Sequence, residues 1–252
     1  MGIINLTPDS FFPASRHDQK SALICAKQML ANGADILDLG AESTRPGAAA
    51  VAAEIQIKRL APVVTELRRF YSGTIAIDTS DPLVMAACIH AGADMINDVR
   101  ALRMPGSLEL VAKHNIELCL GHMQGEPATM QANINYPACL IPTLMAWCKT
   151  TMNMCQAAGI ASKRITLDLG FGFGKTLEHN WQLLHQLEQF TCDYKIAVGV
   201  SNKSMFKDLG EDRNIPSRVA EAVAALKKAS IIRTHDVAAT KQAVATINLL
   251  GA

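Results

Sequence analysis

The chain has 252 residues, and its 24 lysines and arginines against 23 aspartates and glutamates give a formal net charge of +1. Such a balance argues against a protein that binds nucleic acid or another polyanion through bulk charge. Hydrophobic residues make up 49% of the chain and charged residues 19%, a composition that supports a large buried core and excludes a disordered chain.

Seven cysteines are scattered along the sequence, with no C-x-x-C pair and no spacing typical of a metal site. We expect them to be buried thiols in a reducing compartment. The longest uncharged stretch, residues 127–148, contains prolines and amides that a membrane-spanning helix would not tolerate. Because the N-terminus also lacks the pattern of a signal peptide, we expect a soluble, cytoplasmic protein.

Short apolar runs that favour β-strands recur, and each is followed by a segment with helical periodicity. The predicted strands are Gly2–Thr7, Asp35–Gly40, Thr74–Thr79, Met95–Val99, Glu117–Met123, Arg164–Gly170, Ile196–Ser201 and Ile231–Asp236. The predicted helices lie near 18–32, 51–69, 81–91, 107–114, 137–158, 177–190, 215–229 and 238–250. Asp81 before Pro82 is typical of a helix start, and Gly33, Gly92 and Gly159 lie at predicted helix ends.

Eight strand–helix repeats without a flexible linker predict the α/β class and a single (β/α)8 TIM barrel over residues 1–252. A doubly wound open sheet is the alternative. That fold usually carries a G-x-G-x-x-G loop after its first strand, whereas residues 6–10 read LTPDS.

In a TIM barrel the active site lies where the strands end. The polar residues at the predicted strand ends are Asn5, Thr7, Asp38, Asp78, Thr79, Asn97, Asp98, His122, Asp168, Ser201, Asn202, Lys203, Ser204, Arg233, His235 and Asp236. The turn preference of Asp and Asn accounts for any one of them. It does not account for the whole set, because buried parallel strands are normally apolar.

Two groups of these residues suggest ligand chemistry. The loop 40–47 reads GAESTRPG and places a hydroxyl beside Arg45, which suits a phosphate or carboxylate. Arg233 and His235 are two apart on the last predicted strand and are expected to face the same side and complete this anion site. Ion pairing of these side chains with strand-end carboxylates is the alternative.

The second group joins two carboxylates, an amide and an ammonium group: Asp78, Asn97, Asp168 and Lys203. This mixture suits a planar, nitrogen-rich heterocycle. We do not expect a zinc site, because His122 and His235 have no third nitrogen or sulfur ligand at a suitable position. The stretch 168–175, DLGFGFGK, is not a Walker loop, and its glycines predict a close turn that presents an aromatic edge to the site or simply caps the barrel.

Seven segments, taken in order, resemble the motifs of the dihydropteroate synthase family. They are MGIINLTPDSF at 1–11, ESTRPG at 42–47, IDT at 77–79, IND at 96–98, HMQG at 122–125, GFGFGK at 170–175 and IRTHD at 232–236. The resemblance implies a pterin-binding TIM barrel of folate biosynthesis and a target of sulfonamides. The implied reaction joins 6-hydroxymethyl-7,8-dihydropterin pyrophosphate to p-aminobenzoate through a cationic pterin, giving 7,8-dihydropteroate and pyrophosphate.

The resemblance also implies roles for individual residues. The implied pterin contacts are Asp78, Asn97, Met123, Asp168, Gly199 and Lys203. The implied contacts of pyrophosphate and p-aminobenzoate are Thr44, Arg45, Pro46, Phe173, Ser204, Arg233 and His235. Asn5 is implied as a ligand of Mg²⁺, and Asp78, Asp168, Lys203 and Arg233 are implied to act in catalysis. The family commonly forms a homodimer through its late helices.

The sequence departs from the family pattern in several places, including Leu169 and Ala41, where the family usually has proline and glycine. Residues 201–204 read SNKS, so Asn202 stands where the family usually has arginine, and the loop 11–16 lacks the usual aspartate and glycines. The segment 212–230 lacks the arginine followed by a glycine-containing turn that is usual in the family. The N-terminal hairpin of the family is missing before Met1, which fits a trimmed chain, a domain of a larger folate-pathway protein or a divergent member.

Two alternatives to the synthase are weighed. A methyltransferase barrel that binds methyltetrahydrofolate would share Asp78, Asn97 and Asp168, but it would not need the TRPG motif at 44–47 or the pair at 203–204. A non-catalytic pterin-binding homologue would keep the pocket, and only activity separates it from the synthase.

Overall fold

The structure is a computed structural model that describes residues 1–6, 19–43, 50–126, 129–136 and 139–250. Its strands are β1 (Gly2–Asn5), β2 (Ile36–Gly40), β3 (Thr74–Asp78), β4 (Met95–Asp98), β5 (Glu117–Gly121), β6 (Ile165–Asp168), β7 (Ile196–Val198) and β8 (Ile231–Ile232). Its helices are α1 (Gln19–Ala31), α2 (Ala53–Arg68), α3 (Pro82–Ala91), α4 (Ser107–Ala112), α5 (Leu140–Ala157), α6 (Leu177–His185), α7 (Glu188–Thr191), α8 (Asn214–Leu226) and α9 (Val237–Leu249).

The eight strands are parallel and lie side by side in chain order, from β1 to β8. Beyond β8, the Ile3 amide donates to the Thr234 carbonyl at 3.0 Å, and the Thr234 amide donates to the Met1 carbonyl at 3.0 Å. These two bonds join the last strand to the first and close the sheet. The predicted (β/α)8 TIM barrel is therefore confirmed, since each of the eight predicted strands and helices has its counterpart.

Two predicted boundaries are wrong. The helix predicted over 177–190 is two helices, α6 and α7, although the buried leucines and phenylalanine on either side of the break keep one helical period. The last strand ends at Ile232 rather than Asp236 because the following polar residues form the turn into α9. There the Asp236 carboxylate accepts from the Ala239 amide at 3.1 Å.

The predicted helix boundary signals are confirmed. The Asp81 carboxylate accepts from the Leu83 amide at 2.8 Å, which makes it the N-cap of α3. Gly92 ends the same helix in the left-handed conformation, at φ 110°, and Gly33 and Gly159 also have positive φ.

Two apolar clusters pack against the barrel wall, one on its outer side and one on its inner side. The larger layer lies between strands and helices and includes Leu37, Leu39, Ile75, Ile77, Ile96, Leu118, Leu120, Leu167 and Val198. A small separate cluster fills the lower interior of the barrel and consists of Met1, Ala76, Met95, Cys119 and Ala197, with Ile36 and Ile231 packed against it. Successive side chains of a strand face opposite sides, so these two clusters come from alternate positions.

The same alternation places the polar residues. The small interior cluster forms an apolar plug. Two positions beyond it, in β2, β3 and β4 and just after β7 and β8, lie residues of the upper interior: Asp38 above Ile36, Asp78 above Ala76, Asn97 above Met95, Gly199 above Ala197 and Arg233 above Ile231. The plug thus keeps water out of the lower barrel, and the polar groups converge at the carboxyl-terminal mouth. None of the described helices is both long enough and apolar enough to span a membrane.

One fully buried carboxylate, Glu221, fastens α8 to α9. It accepts from Arg218 Nη2 at 2.7 Å through Oε1 and from Thr240 Oγ1 at 2.7 Å through Oε2. By contrast, the ion pair of Lys241 with Asp35 joins α9 to the chain before β2 at an exposed position, with an N–O distance of 3.0 Å.

Replacing the buried Glu221 should therefore lower the free energy of unfolding far more than breaking the exposed pair of Lys241 and Asp35. We expect Glu221→Ala to lower the free energy of unfolding by about 3 kcal/mol, because it removes the buried carboxylate that pairs with the partly buried Arg218 guanidinium and accepts from Thr240. We expect Lys241→Ala to lower it by less than about 1 kcal/mol. Urea unfolding of both variants checks this, and equal losses would contradict it.

Candidate active site at the barrel mouth

A single guanidinium joins three strands at the mouth. Arg233, just after β8, donates from Nε to Asp38 Oδ2 and from Nη2 to Asp78 Oδ2, both at 2.6 Å. Asn97 at the end of β4 donates from Nδ2 to the same Asp38 oxygen at 3.1 Å. The side chains of β2, β3, β4 and the residue after β8 thus form one hydrogen-bonded cluster, which we call the arginine cluster: Asp38, Asp78, Asn97 and Arg233.

Burial and ion pairing compete within the arginine cluster. Burial opposes the charge of Arg233, but the carboxylates of Asp38 and Asp78 outweigh that effect and raise the pKa of its guanidinium. Burial raises the pKa of Asp78 to about 7, although Arg233 acts to lower it. With both carboxylates ionised, the cluster has one cation for two negative charges, and a cationic ligand would favour that ionised form.

One carboxylate oxygen of Asp38 has no hydrogen-bond partner among the described residues. Its Oδ1 is buried and unpaired, while Oδ2 accepts from both Arg233 and Asn97. A buried carboxylate oxygen costs free energy unless a donor meets it. A bound ligand or an ordered water at the mouth is the natural donor for this oxygen.

Asp168 ends β6, and Lys203 lies in the segment that follows β7. The Asp168 carboxylate accepts from the Gly170 amide at 2.8 Å, and a Cβ added to Gly199 would come 4.0 Å from Asp168 Oδ2. Burial lowers the pKa of Lys203 to about 8, partly offset by the negative charge of Asp168. Both side chains of this pair therefore face the same interior as the arginine cluster.

The loop after β6 carries the glycine pattern seen in the sequence. Gly170, Gly172 and Gly174 all have positive φ, between 60° and 77°, so the predicted close turn is confirmed. A Cβ on Gly170 would lie 1.8 Å from the His122 carbonyl oxygen, which excludes any side chain there. Phe171 is fully buried, whereas Phe173 is half-buried, and the Nζ of Lys203 lies 4.6 Å from the centre of the Phe173 ring.

Other predicted residues lie around this centre. The Ser201 hydroxyl lies 3.1 Å from His235 Nδ1 and accepts from the His235 amide at 3.3 Å. Ser204 begins a short 3-10 turn and is exposed. Met123 is buried just after β5, and Asn5 ends β1 beside Gly40, where an added Cβ would come 3.8 Å from Asn5 Oδ1.

Asn202 adopts a backbone conformation that few residues tolerate. Its φ is 57°, in the left-handed region where asparagine is one of the least strained residues after glycine. Its amide donates to Ser217 Oγ at 3.0 Å, and its carbonyl accepts from Arg213 Nη1 at 3.4 Å. The segment before Lys203 is therefore held by α8 and the residue preceding it.

The predicted anion site is only partly visible. Thr44, Arg45 and Pro46 lie outside the described residues. Arg233, expected to face an anion opposite Arg45, has two of its nitrogens committed to Asp38 and Asp78. This is the ion pairing that the sequence left open as the alternative for this residue.

Comparison with known proteins places these features in a family. The family model described as "Pterin binding enzyme" matches residues 1–235. A dihydropteroate synthase of Haemophilus influenzae is 41% identical over 246 residues, covering 95% of this chain and 89% of the relative. That of Escherichia coli K12 is also 41% identical and covers 98% of this chain and 89% of its own length. The chain belongs to the dihydropteroate synthase family of pterin-binding enzymes.

Solved structures of the dihydropteroate synthase family share the fold throughout. The Yersinia pestis enzyme, solved with a sulfonamide drug complex, superposes with a TM-score of 0.95 at 40% identity and covers 100% of this chain and 93% of its own. The Xanthomonas albilineans enzyme, solved with 4-aminobenzoic acid, has a TM-score of 0.91 at 36% identity and covers 100% and 92% of the two chains.

Two features of this dihydropteroate synthase site were not predicted from the sequence. The sequence predicts a strand end at Asp38 but no role for it, although a lone carboxylate inside the apolar run of β2 is itself a signal. The sequence places Lys175 at the end of a glycine-rich turn and predicts no contact for it, yet it is only 3% exposed and its Nζ lies 3.1 Å from His122 Nδ1. Only the folded chain shows this contact, because it joins the residue after β5 to the loop after β6.

The buried imidazole of His122 should make stability depend on pH. Burial, and then the charge of Lys175, lower the pKa of His122 to about 3. Between pH 6.5 and 3 the unfolded chain therefore binds a proton at this ring that the folded chain does not, and stability falls as the pH decreases.

We expect the stability difference between the wild-type protein and His122→Asn, which cannot titrate there, to shrink by about 2 kcal/mol from pH 7 to pH 5. Urea unfolding of both proteins at several pH values measures it. Curves that stay parallel would show that the ring is not buried in its neutral form.

Proposed function

We propose that the chain condenses 6-hydroxymethyl-7,8-dihydropterin pyrophosphate with p-aminobenzoate to give 7,8-dihydropteroate and pyrophosphate. The observation that carries this proposal is the arginine cluster, facing Asp168 and Lys203 across one barrel mouth. Membership of the dihydropteroate synthase family supplies the reaction. The related Y. pestis and X. albilineans enzymes have been solved with a pterin–sulfa conjugate and with 4-aminobenzoic acid, respectively.

The pterin would enter with its hydrogen-bonding edge toward the carboxylates. Ring N–H and amino groups donate, so Asp78 and Asp168 are the natural acceptors, and the Asn97 amide can both donate and accept. The Lys203 ammonium would donate to a ring acceptor. Met123 is buried next to the mouth and Gly199 leaves the space that a side chain would fill, so both suit a flat ring.

The proposed reaction breaks one C–O bond and forms one C–N bond. Pyrophosphate leaves with the bonding electron pair, which puts positive charge on the pterin methylene. The excess negative charge of the mouth, from Asp78 and Asp168, stabilises that cation. The p-aminobenzoate nitrogen then supplies the new bond and loses a proton. No nucleophilic side chain is needed.

The pyrophosphate leaving group and p-aminobenzoate would be held by residues of the loops that follow the strands. Arg45, Thr44 and Pro46 are proposed contacts of pyrophosphate or p-aminobenzoate that rest on the motif alone. His235 and Ser204 lie beside Ser201 and Lys203 and would contact the anionic ends of the substrates, while Phe173 would pack against the aromatic ring. Arg233 would act by holding the carboxylates of Asp38 and Asp78 in place.

Mg²⁺ fits this site only together with its substrate. Among the described residues no group of three or more His, Cys, Asp or Glu side chains can hold a metal ion. The Asn5 amide oxygen at the end of β1 is an oxygen ligand of the type Mg²⁺ accepts, and Mg²⁺ commonly uses one or two protein ligands with substrate phosphates. When bound, the ion would neutralise charge on the departing pyrophosphate.

Three further features of the chain are proposals. Residues 1–252 form a single domain, and the location is cytoplasmic, which the seven free thiols support. A homodimer through the late helices is supported by an exposed apolar stripe on α8 formed by Ile215, Val219 and Leu226, whose spacing puts them on one helix face.

The reaction is tested by measuring pyrophosphate release from the pterin substrate with Mg²⁺, with and without p-aminobenzoate, and by identifying the product by mass. We expect release that depends on p-aminobenzoate and yields dihydropteroate. Release without that dependence would mean that only the pterin half of the site works. No release would favour the non-catalytic pterin-binding homologue or the methyltransferase barrel.

In the same assay we expect Asp78→Asn to lower kcat at least about 100-fold, because it removes a carboxylate that stabilises the developing cation. Asp35→Asn is the matched control, since Asp35 is exposed at the opposite end of the barrel. Full activity in Asp78→Asn would remove this carboxylate from the mechanism.

A further inference from the structure

The loop after β6 is held by its carbonyl groups. Five successive carbonyl oxygens each accept a hydrogen bond: Gly170 from the Phe173 amide, Phe171 from Lys203 Nζ, Gly172 from Gln131 Nε2, Phe173 from Lys175 Nζ and Gly174 from Tyr136 Oη. We call residues 170–174 the carbonyl loop. Four of these five donors are side chains, so the shape of the carbonyl loop depends on them and not on a regular ladder.

Lys175 is the unusual donor in this set. It is 3% exposed, and its Nζ lies 3.3 Å from the Phe173 carbonyl oxygen and 3.1 Å from His122 Nδ1. A buried ammonium group is normally paired with a carboxylate. Within the described part of the chain Lys175 forms no such pair, and burial lowers its pKa to about 7, partly offset by the charge of Asp168.

His122 is a suitable acceptor for this amine. Burial, followed by the charge of Lys175, lowers the pKa of the ring to about 3, so the imidazole is neutral and its Nδ1 accepts. The ring packs edge-on against Trp147 with 5.2 Å between centroids, which fixes its plane. His122, just after β5, therefore holds the Lys175 amine in a position from which it can donate to the Phe173 carbonyl.

The two phenylalanines of the carbonyl loop depend on these bonds to different degrees. The Phe171 side chain is fully buried, so core packing holds it whatever its carbonyl does. The Phe173 ring is half-buried and faces Lys203 at 4.6 Å, so its position depends on its backbone contacts. Loss of the bond to the Phe173 carbonyl should release the outer half of the carbonyl loop and leave the inner half in place.

We propose that Lys175, anchored by His122, is a positioning residue that fixes Phe173 as the wall of the p-aminobenzoate subsite. This inference rests on the proposed function and deepens it, because it assigns a role to two buried side chains beneath the subsite. Lys175 does not touch either substrate. It acts on the affinity for p-aminobenzoate through the Phe173 backbone, and the pterin contacts at Asp78 and Asn97 are not affected.

The test compares steady-state constants for both substrates in matched variants. We expect Lys175→Met to raise KM for p-aminobenzoate about tenfold and KM for the pterin substrate less than about twofold, because a preorganised wall is lost on one side only. His122→Phe, which removes the acceptor, should have the same effect. The double variant should be no worse than either single variant, since both changes break one contact.

Two controls separate positioning from general damage. His122→Asn keeps an acceptor near the position of Nδ1 and should restore KM for p-aminobenzoate to within about threefold of wild type. Lys195→Met makes the same chemical change at an exposed lysine at the start of β7 and should leave both constants unchanged. Thermal unfolding of every variant shows whether the fold persists.

The inference is overturned if Lys175→Met and His122→Phe leave KM for p-aminobenzoate unchanged while the wild type is active. It is also overturned if both variants raise the two KM values equally and His122→Asn gives no rescue, because that result indicates a purely structural role. A wild-type protein that forms no dihydropteroate would overturn the proposed function, and this inference with it.

Discussion

The ion pairs of Arg233 with Asp38 and Asp78 are the contacts on which the barrel mouth depends. Two carboxylates a short distance apart in a buried site repel each other, and without a cation one of them would take up a proton. The forked Arg233 guanidinium donates to both carboxylates at 2.6 Å, which lets the two acidic side chains lie close together in the buried mouth. Because these residues come from β2, β3 and the end of β8, the same contacts also help to close the barrel.

The position of this cluster follows from the period of the strands. The apolar plug around Met95 and Ala197 seals the lower barrel, and the next inward-facing position is polar or glycine in β2, β3, β4 and β5 and just after β7 and β8. The low-polarity floor strengthens the electrostatic interactions above it. A cationic pterin would therefore meet preorganised negative charge rather than water, which is the condition for stabilising a transition state without reorganisation.

Much of this arrangement was predictable from local sequence. The alternation of apolar strand-like runs with helical segments, and helix signals such as Asp81, predicted the eight repeats. The motif residues Asp78 and Asn97 lie at the ends of β3 and β4, as predicted. The contact of Asp38 with Arg233 was not predictable, because it joins residues 195 positions apart through closure of the barrel. The contact between Lys175 and His122 was missed for a related reason, since a buried lysine facing a neutral ring has no sequence pattern of its own.

The most direct test is a double-mutant cycle on the unfolding free energy with Arg233→Met and Asp38→Asn. We expect Arg233→Met alone to cost about 3–5 kcal/mol, because it leaves two buried carboxylates without their cation. Asp38→Asn in the same background should recover at least about 1 kcal/mol relative to the sum of the single changes, since it removes one of the repelling charges. Strictly additive losses would contradict the claim that this guanidinium holds the mouth together by neutralising both carboxylates.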